Sequence, residues 1–322
     1  MQAILAVTVP FFALVLAGYL AAQRCLLPEA AIPGLNAFVL FFALPCMLFR
    51  FGMNTPIFQL LNPVVLGVYL AAALAVVAFT VAVTWGGGLS LKDAAFGALV
   101  AAFPNTGFMG VPLLAALMGP EAAGPVISLV LADLFFTSSL CIALAEAQGA
   151  ADHGMRRALA RSLRGALSNP LPWAIALGAA SSVTGLRPFG PVDLMIRMLA
   201  DAATPVALFT IGAVLWRAGQ HAHARTPPSR FVPVAAIKLF VHPALVGTLG
   251  AAARLLGAPL SAFELTVLTL AAALPSASNV SLLAERYGAD NGRVARIILT
   301  STAAAFVSFS ALAWAFGAGT AR

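Results

Sequence analysis

Charged residues are scarce in this chain of 322 residues: Asp, Glu, Lys and Arg together make up 9% of it. Soluble domains contain roughly 25%. Hydrophobic residues make up 61% of the chain, and its mean hydropathy is +0.97. This composition excludes an ordinary soluble domain and indicates a polytopic membrane protein.

Cysteines and catalytic motifs are also few. Cys25, Cys46 and Cys141 lie far apart, which argues against a disulfide framework and a cysteine metal site. The sequence has no Walker phosphate loop, no HExxH zinc motif and no nucleophile elbow. We therefore expect neither an enzyme nor a bound cofactor. Acid–base chemistry by a buried pair of aspartates inside the membrane is the remaining enzymatic alternative.

Hydrophobic windows of about 20 residues, the length that crosses roughly 30 Å of hydrocarbon, predict ten membrane spans. They lie near residues 4–23, 32–52, 62–86, 92–118, 122–146, 167–185, 190–218, 232–256, 260–284 and 291–316. The apolar start from Met1 to Tyr19 lacks the basic stretch of a signal peptide, so we expect it to be a membrane helix.

The spans divide into two sets of five. Residues 1–146 form the first five-helix repeat, 147–166 a polar cytoplasmic linker, and 167–322 the second repeat. Pro45 in span two matches Pro205 in span seven, and both repeats contain a broken span. Because five is odd, the second repeat enters the membrane in the opposite orientation. The sequence therefore predicts an all-α membrane protein with two inverted repeats.

Lysine and arginine are unevenly distributed between the two sides of this topology. One side collects Arg24, Lys92, Arg156, Arg157, Arg161, Arg164, Arg217, Arg225, Arg230, Arg286, Arg293 and Arg296, and the other has Arg50, Arg187, Arg197, Arg254 and Arg322. Because cytoplasmic loops are rich in Lys and Arg, we expect both termini on the outer side of the inner (plasma) membrane. The net charge of +7 is then explained by the arginine-rich loops of one side and does not indicate a nucleic-acid partner.

Spans four and nine are interrupted near their middle by proline and small polar residues, FPNTG at 103–107 and LPSASN at 274–279. Proline removes a backbone donor and clashes with the preceding turn. Irregular backbone at this depth persists only where it is buried in protein or lines a cavity. Matching interruptions in two halves are typical of the midplane substrate site of a secondary transporter.

After each break a second half-helix begins near the membrane centre. Its free N–H groups and the positive end of its dipole favour an anion, so we expect a carboxylate substrate there. The half-helix C-termini, with unpaired carbonyls, suit a cation or a hydroxyl. A structural alternative is that the polar residues only cap the broken helices. The candidate substrate-binding residues are Asn105, Thr106, Gly107, Ser276, Ser278 and Asn279.

Two aspartates and one lysine fall inside predicted spans. Asp133 and Asp201 lie midway along spans five and seven, where an unpaired carboxylate costs at least about 2.5 kcal/mol. We expect them to bind a coupling proton or sodium ion, or to orient the asparagines of the breaks. Structural contacts between helices are the alternative. We place Lys238 close enough to the cytoplasmic end of span eight to snorkel and attract an anion.

The stretch FPNTGFMGVP at 103–112, with LPSASN at 274–279, resembles the auxin efflux carrier family in its prokaryotic branch. Leu44-Pro45, NPL at 169–171 and TPVALF at 204–209 extend the resemblance over nearly the whole chain. It implies a ten-helix fold akin to bile acid sodium symporters. Spans four and nine then cross at their breaks, with Pro104 and Pro275 at the crossover.

The same resemblance implies a mechanism and a substrate class. Spans one, two, six and seven form a scaffold, and spans three to five and eight to ten form a transport domain that slides past it. Small carboxylates such as malonate or malate are the expected substrates. Plant members have a long hydrophilic loop between the repeats, whereas only residues 147–166 lie there in this chain, so an auxin-like aromatic carboxylate is the alternative substrate.

Three questions stay open at this level. An anion channel and a membrane anion sensor are rival functions, although polarity is concentrated at one depth and a sensor requires an attached soluble domain. Protons, sodium ions or the membrane potential alone, worth roughly 2.3 kcal/mol per charge per 100 mV, are all available as driving forces. Apolar faces of the scaffold spans, which also contact lipid, leave a homodimer open.

Overall fold

The structure, a computed structural model, describes residues 1–86, 88–147, 160, 164–220 and 226–318. These residues form helices and no β-strand. We label the helices in chain order as α1 Gln2–Gln23, α2 Glu29–Asn54, α3 Pro63–Thr84, α4 Leu91–Ala102, α5 Thr106–Met118, α6 Pro120–Glu146, α7 Pro170–Thr184, α8 Gly190–Gln220, α9 Pro228–Leu255, α10 Ala262–Ala272, α11 Val280–Arg286 and α12 Asn291–Ala315.

Within the described residues, seven helical stretches are long and apolar enough to cross a membrane: α1, α2, α3 with the turn before it, α6, α8, α9 and α12. The shorter pairs α4–α5 and α10–α11 occupy the two predicted spans that contain breaks. The prediction of a multi-pass, all-helical membrane protein is confirmed. Most of the predicted linker 147–166 lies outside the described residues, as do Arg156, Arg157, Arg161, Arg225 and Arg322.

Polar side chains fix where several of these helices begin. Each accepts a hydrogen bond from a backbone N–H of the first helical turn, which has no partner inside the helix. The capping residues of α3, α4, α7, α10 and α12 are Asn62, Ser90, Asn169, Ser261 and Asp290, respectively.

Four of the described helices contain a π-helical turn, at residues 39–43, 106–110, 133–137 and 237–241, and the second of these turns begins α5. In three of them the second residue after the segment is a proline, namely Pro45, Pro112 or Pro243. A proline ring clashes with the carbonyl one turn earlier, and a wider turn relieves that clash. The fourth segment begins at Asp133, a candidate functional residue, as is common for π-turns.

Glycines bring two pairs of helices into direct backbone contact. A Cβ atom on Gly18 of α1 or on Gly212 of α8 would overlap backbone oxygen of the other helix. Gly178 of α7 packs in the same way against the backbone of α2, close to Gly52. Small residues at such crossings allow the close van der Waals packing that holds membrane helices together. The pairs α1–α8 and α2–α7 are therefore tightly joined.

Burial differs sharply among the spans. Within the apolar window of α6, 72% of the residues are buried inside the protein, whereas the corresponding value for α1 is 22%. The whole of α4 from Ala94 to Ala102 is also buried. The helices that carry the first break and Asp133 thus lie mostly inside the protein, whereas most residues of α1 lie at its surface.

Arg293 is one of the residues that the charge count assigned to a loop, but its side chain is buried at the start of α12. Its Nε donates to the carbonyl of Arg230 at 2.8 Å, and its Nη1 donates to the carbonyl of Asp93 at 2.8 Å. These contacts join the first turns of α4, α9 and α12. Arg293 is therefore a structural residue.

Candidate functional site

The two breaks lie against each other. The backbone N–H of Asn105 donates to the carbonyl of Pro275 at 2.8 Å, and the N–H of Ala277 donates to the carbonyl of Phe103 at 3.0 Å. The two segments thus form an isolated antiparallel bridge. This pairing satisfies backbone groups that the interrupted helices leave free, which is necessary where no water is available.

Helix α12 supports the second break from behind. The Oγ of Ser301 accepts a hydrogen bond from the backbone N–H of Ser276 at 3.2 Å and lies 3.1 Å from the Oγ of Ser276. Both serines are buried. The hydroxyl of Ser276 therefore has a partner inside the protein.

The remaining predicted residues keep polar atoms available. Neither Asn105 nor Asn279 uses its side chain to cap the helix that follows it. The hydroxyl of Thr106 is buried and has no hydrogen-bond partner among the described residues. Asn105, Thr106 and Ser278 are buried, and Gly107 and Asn279 are half-buried. The side chains of these asparagines therefore do not cap the broken helices, which argues against the structural alternative.

The two second half-helices differ in length. α5 continues to Met118, whereas α11 has only 7 residues. A short helix contributes few aligned peptide dipoles. The N–H groups at the start of α5, around Gly107, are therefore the stronger anion-binding element of the two.

Polar side chains meet the C-terminal ends of the first half-helices. Lys238 Nζ donates to the carbonyl of Ala272, the last residue of α10, at 2.6 Å. Tyr69 Oη lies 3.5 Å from the carbonyl of Ala102, the last residue of α4. Helix C-termini carry unpaired carbonyls and the negative end of the dipole. An ammonium group and a phenolic hydroxyl suit these positions.

These two side chains belong to one buried polar cluster, formed by Tyr69, Asp133, Thr137, Lys238 and His242. Asp133 accepts hydrogen bonds from Tyr69 Oη at 2.8 Å and from Thr137 Oγ1 at 2.9 Å. Lys238 Nζ lies 3.1 Å from His242 Nδ1, and the His242 ring centroid is 5.7 Å from that of Tyr69. Through Tyr69 and Lys238, this cluster thus contacts the ends of both first half-helices.

Lys238 does not lie where the sequence placed it. Its side chain is fully buried and does not extend toward the headgroups. The reason is that the carbonyl of Ala272 and the ring of His242 offer the ammonium group partners inside the protein. A charge with such partners does not need to snorkel.

Asp201 lies apart from the buried polar cluster. Its Oδ1 is 3.4 Å from Nη1 of Arg50 on α2, and 70% of its side-chain surface is exposed. Thr204, three residues further along α8, lies next to Met47 Sδ, at 3.9 Å. Of the two predicted intramembrane aspartates, only Asp133 is buried.

Two cavities lie beside the second half-helices. The Arg50 cavity, of about 400 Å³, is bounded by the C-terminal half of α2, by Pro112 and Ala115 of α5 and by α8 around Asp201. The Arg217 cavity, of about 360 Å³, is bounded by the start of α2, by the end of α8 around Arg217 and by α11 from Ser281. The cavities lie at opposite ends of α2, and along α8 they are separated by the stretch from Thr204 to Val214.

Sequence reasoning did not single out Tyr69, Arg50 or Ser301 as functional. Tyr69 is one of only 3 tyrosines, and its hydroxyl falls in a strongly apolar span. A polar atom in such a span needs a partner, and this was the available signal. Arg50 and Ser301 carry no comparable local signal, because their partners are distant in the sequence.

Comparison with known proteins identifies the family of this chain. The chain matches the model of the membrane transport protein family over residues 3–313. A relative from Rhizobium meliloti (strain 1021) named "Putative malonate transporter" is 28% identical, over 99% of this chain and 98% of the relative. A relative from Methanothermobacter thermautotrophicus named "Uncharacterized transporter" is 25% identical, over 92% of each chain. Since the match includes both breaks, this chain belongs to the membrane transport protein family, the auxin efflux carrier family that its broken-span motifs resemble.

Proposed function

We propose that this protein is a secondary carrier that moves a small organic anion, such as malonate or malate, across the inner membrane by elevator-like alternating access. The observation that carries the proposal is the direct pairing of two broken helices beside unpartnered polar groups. The name of the Rhizobium relative supports malonate as the first substrate to test.

The substrate carboxylate binds at the start of α5. Thr106 Oγ1 is buried without a partner among the described residues, so it can donate to an anion without first losing a protein hydrogen bond. The amide group of Asn105 and the N–H groups around Gly107 add further donors, and Ser278 and Asn279 face the anion from the second break. Pro104 and Pro275 keep the helices interrupted at the crossover. Ser276, held by Ser301, keeps the second break in position.

The buried polar cluster forms the cation side of the site. The Lys238 ammonium already occupies the carbonyl end of α10, which is the kind of position that a sodium ion takes in a carrier with broken helices. Asp133 is the residue available to take up a proton. We therefore favour protons or the membrane potential over sodium as the driving force, and we assign Asp201 to the Arg50 cavity and not to coupling.

Two matched sets of contacts support the inverted repeat with halves at 1–146 and 167–322. In an inverted repeat, α1 corresponds to α7 and α2 corresponds to α8. The glycine crossing of α1 with α8 then corresponds to the glycine crossing of α7 with α2. In the same way α3 corresponds to α9 and α4 to α10, so the contact of Tyr69 with the end of α4 corresponds to that of Lys238 with the end of α10.

These relations define the moving parts that we propose. α1, α2, α7 and α8 form a scaffold, and α3–α6 and α9–α12 form the transport domain. The arginine-rich side, with the Arg217 cavity, is cytoplasmic, and both termini are outside. A homodimer through the scaffold is compatible with its exposed apolar surface.

Counterflow of radiolabelled malonate into proteoliposomes tests the proposal. We expect Asn105→Ala and Thr106→Val to reduce exchange at least tenfold without changing the unfolding temperature by more than a few degrees. Thr248→Val is the matched control, because Thr248 is exposed and bonds only to carbonyls of its own helix.

The outcome separates the candidate functions. Uptake accelerated by malonate inside the vesicle is expected for a carrier, whereas unaccelerated uptake indicates a channel. A wild-type protein that exchanges no small carboxylate, including an aromatic carboxylate of the auxin type, contradicts the proposal. Full activity of both Asn105→Ala and Thr106→Val moves the site away from the breaks.

A further inference from the structure

We propose that Arg50 is a substrate-binding residue of the opposite conformation, in which the site opens toward the Arg50 cavity, and that Asp201 occupies its guanidinium in the present conformation. This inference rests on the proposed transport of a small carboxylate. It adds a binding residue on the scaffold to a site otherwise built from the two breaks.

The guanidinium of Arg50 is only lightly engaged. Its ion pair with Asp201 is a single contact of 3.4 Å, and the two side chains are 30% and 70% exposed. A guanidinium has five N–H donors, so most of them remain available to the cavity. Exposed pairs of this kind are weak. A substrate carboxylate, which can bind arginine through two parallel hydrogen bonds, is therefore able to displace Asp201.

The two cavities reach the breaks to different extents. The Arg217 cavity is lined by Ser281, which comes two residues after Asn279 of the second break. The Arg50 cavity meets α5 first at Pro112, six residues after Thr106, or about 9 Å along a helix. In the present conformation the breaks thus lie nearer along the chain to the Arg217 cavity than to the Arg50 cavity, and the substrate groups lie away from Arg50.

When the transport domain slides along the scaffold, the break residues move away from the Arg217 cavity and toward the Arg50 cavity. Movement of α5 by about 9 Å toward the Arg50 end of α2, the rise of six helical residues, places Thr106 where Pro112 now lies. The carboxylate held by Asn105 and Thr106 then faces Arg50 on the stationary scaffold. An arginine at this position attracts anions into the open cavity. It also binds the second carboxylate of a dicarboxylate substrate.

Sided kinetics test this role. In vesicles of known orientation, Arg50→Gln should raise the KM for malonate presented on the Arg50 side at least tenfold and leave the KM on the Arg217 side within twofold of wild type. Asp201→Asn should lower the KM on the Arg50 side, because it removes the competing carboxylate. Arg254→Gln is the matched control, since Arg254 is an exposed arginine of the same predicted side.

The test uses two opposite changes in KM, an increase for Arg50→Gln and a decrease for Asp201→Asn. If Arg50→Gln does not fold, Arg50→Lys should still weaken binding on one side only, and Asp201→Asn should still strengthen it. Equal changes on both sides, or no change for Asp201→Asn, overturn the inference. Wild-type protein without malonate exchange overturns the proposed function and this role together, whereas exchange that is insensitive to Arg50 overturns this role alone.

Discussion

Replacement of Lys238 by methionine, which has a similar length but no charge, is expected to destabilise the protein strongly. The change removes the 2.6 Å hydrogen bond to Ala272, and an unsatisfied buried carbonyl costs about 1–3 kcal/mol. It also removes the Lys238 ammonium group from the buried polar cluster that contains Asp133. A carboxylate buried without a compensating charge is costly, so we expect the total to exceed the loss of about 1–3 kcal/mol from the carbonyl alone.

A second variant separates these two contributions. Lys238→Met combined with Asp133→Asn removes both charges and leaves mainly the unpaired carbonyl of Ala272. We expect the double variant to lose about 1–3 kcal/mol, which is less than Lys238→Met alone. Such non-additivity is expected of residues that belong to one polar network.

Thermal unfolding of the purified variants in one detergent measures this order. Wild type and Arg254→Met, an exposed cation removed from the same helix, should unfold at the highest temperatures. The double variant should follow, and Lys238→Met should be lowest. A double variant less stable than Lys238→Met refutes the reasoning, because Asp133 would then gain nothing from the loss of its charge.

Three further outcomes follow from the structure. Malonate counterflow should be equal in sodium and potassium salts, because Lys238 holds the carbonyl that a sodium ion would use, and a sodium requirement would contradict this. Gly212→Ala should lower the yield of folded protein far more than Gly67→Ala, since a Cβ overlaps the neighbouring backbone only at the first position; equal yields would argue against the tight crossing. Ser301→Ala should slow exchange and cost about 1 kcal/mol through loss of its contacts with Ser276, and unaltered exchange would show that α12 does not hold the second break.

The breaks and most helix windows were predictable from the sequence, because their signals are local. A proline next to small polar residues within an apolar window marks the interruption directly, as at 103–107 and 274–279. Residue composition also sets which windows are helical and apolar. The contact between the breaks was expected only through the family resemblance, since local sequence does not determine which segments meet.

The buried polar cluster was not predictable as a unit. Its members come from α3, α6 and α9, and sequence reasoning judged Lys238 by its distance from the end of its own helix. Arg50 and Asp201 are 151 residues apart, so nothing local links them. Partners such as these are determined by helix packing, which depends on small residues like Gly18 and Gly212 at crossings that the sequence does not pair.

Substrate binding by the residues of the two breaks is the central claim, and ligand-dependent stabilisation tests it directly. At a malonate concentration of 100 times Kd, a ligand that binds only the folded state stabilises it by about 2.7 kcal/mol. We expect malonate to raise the unfolding temperature of wild type and of Thr248→Val, and to raise those of Asn105→Ala and Thr106→Val by much less. Equal stabilisation of all four proteins would contradict a substrate site at the paired breaks.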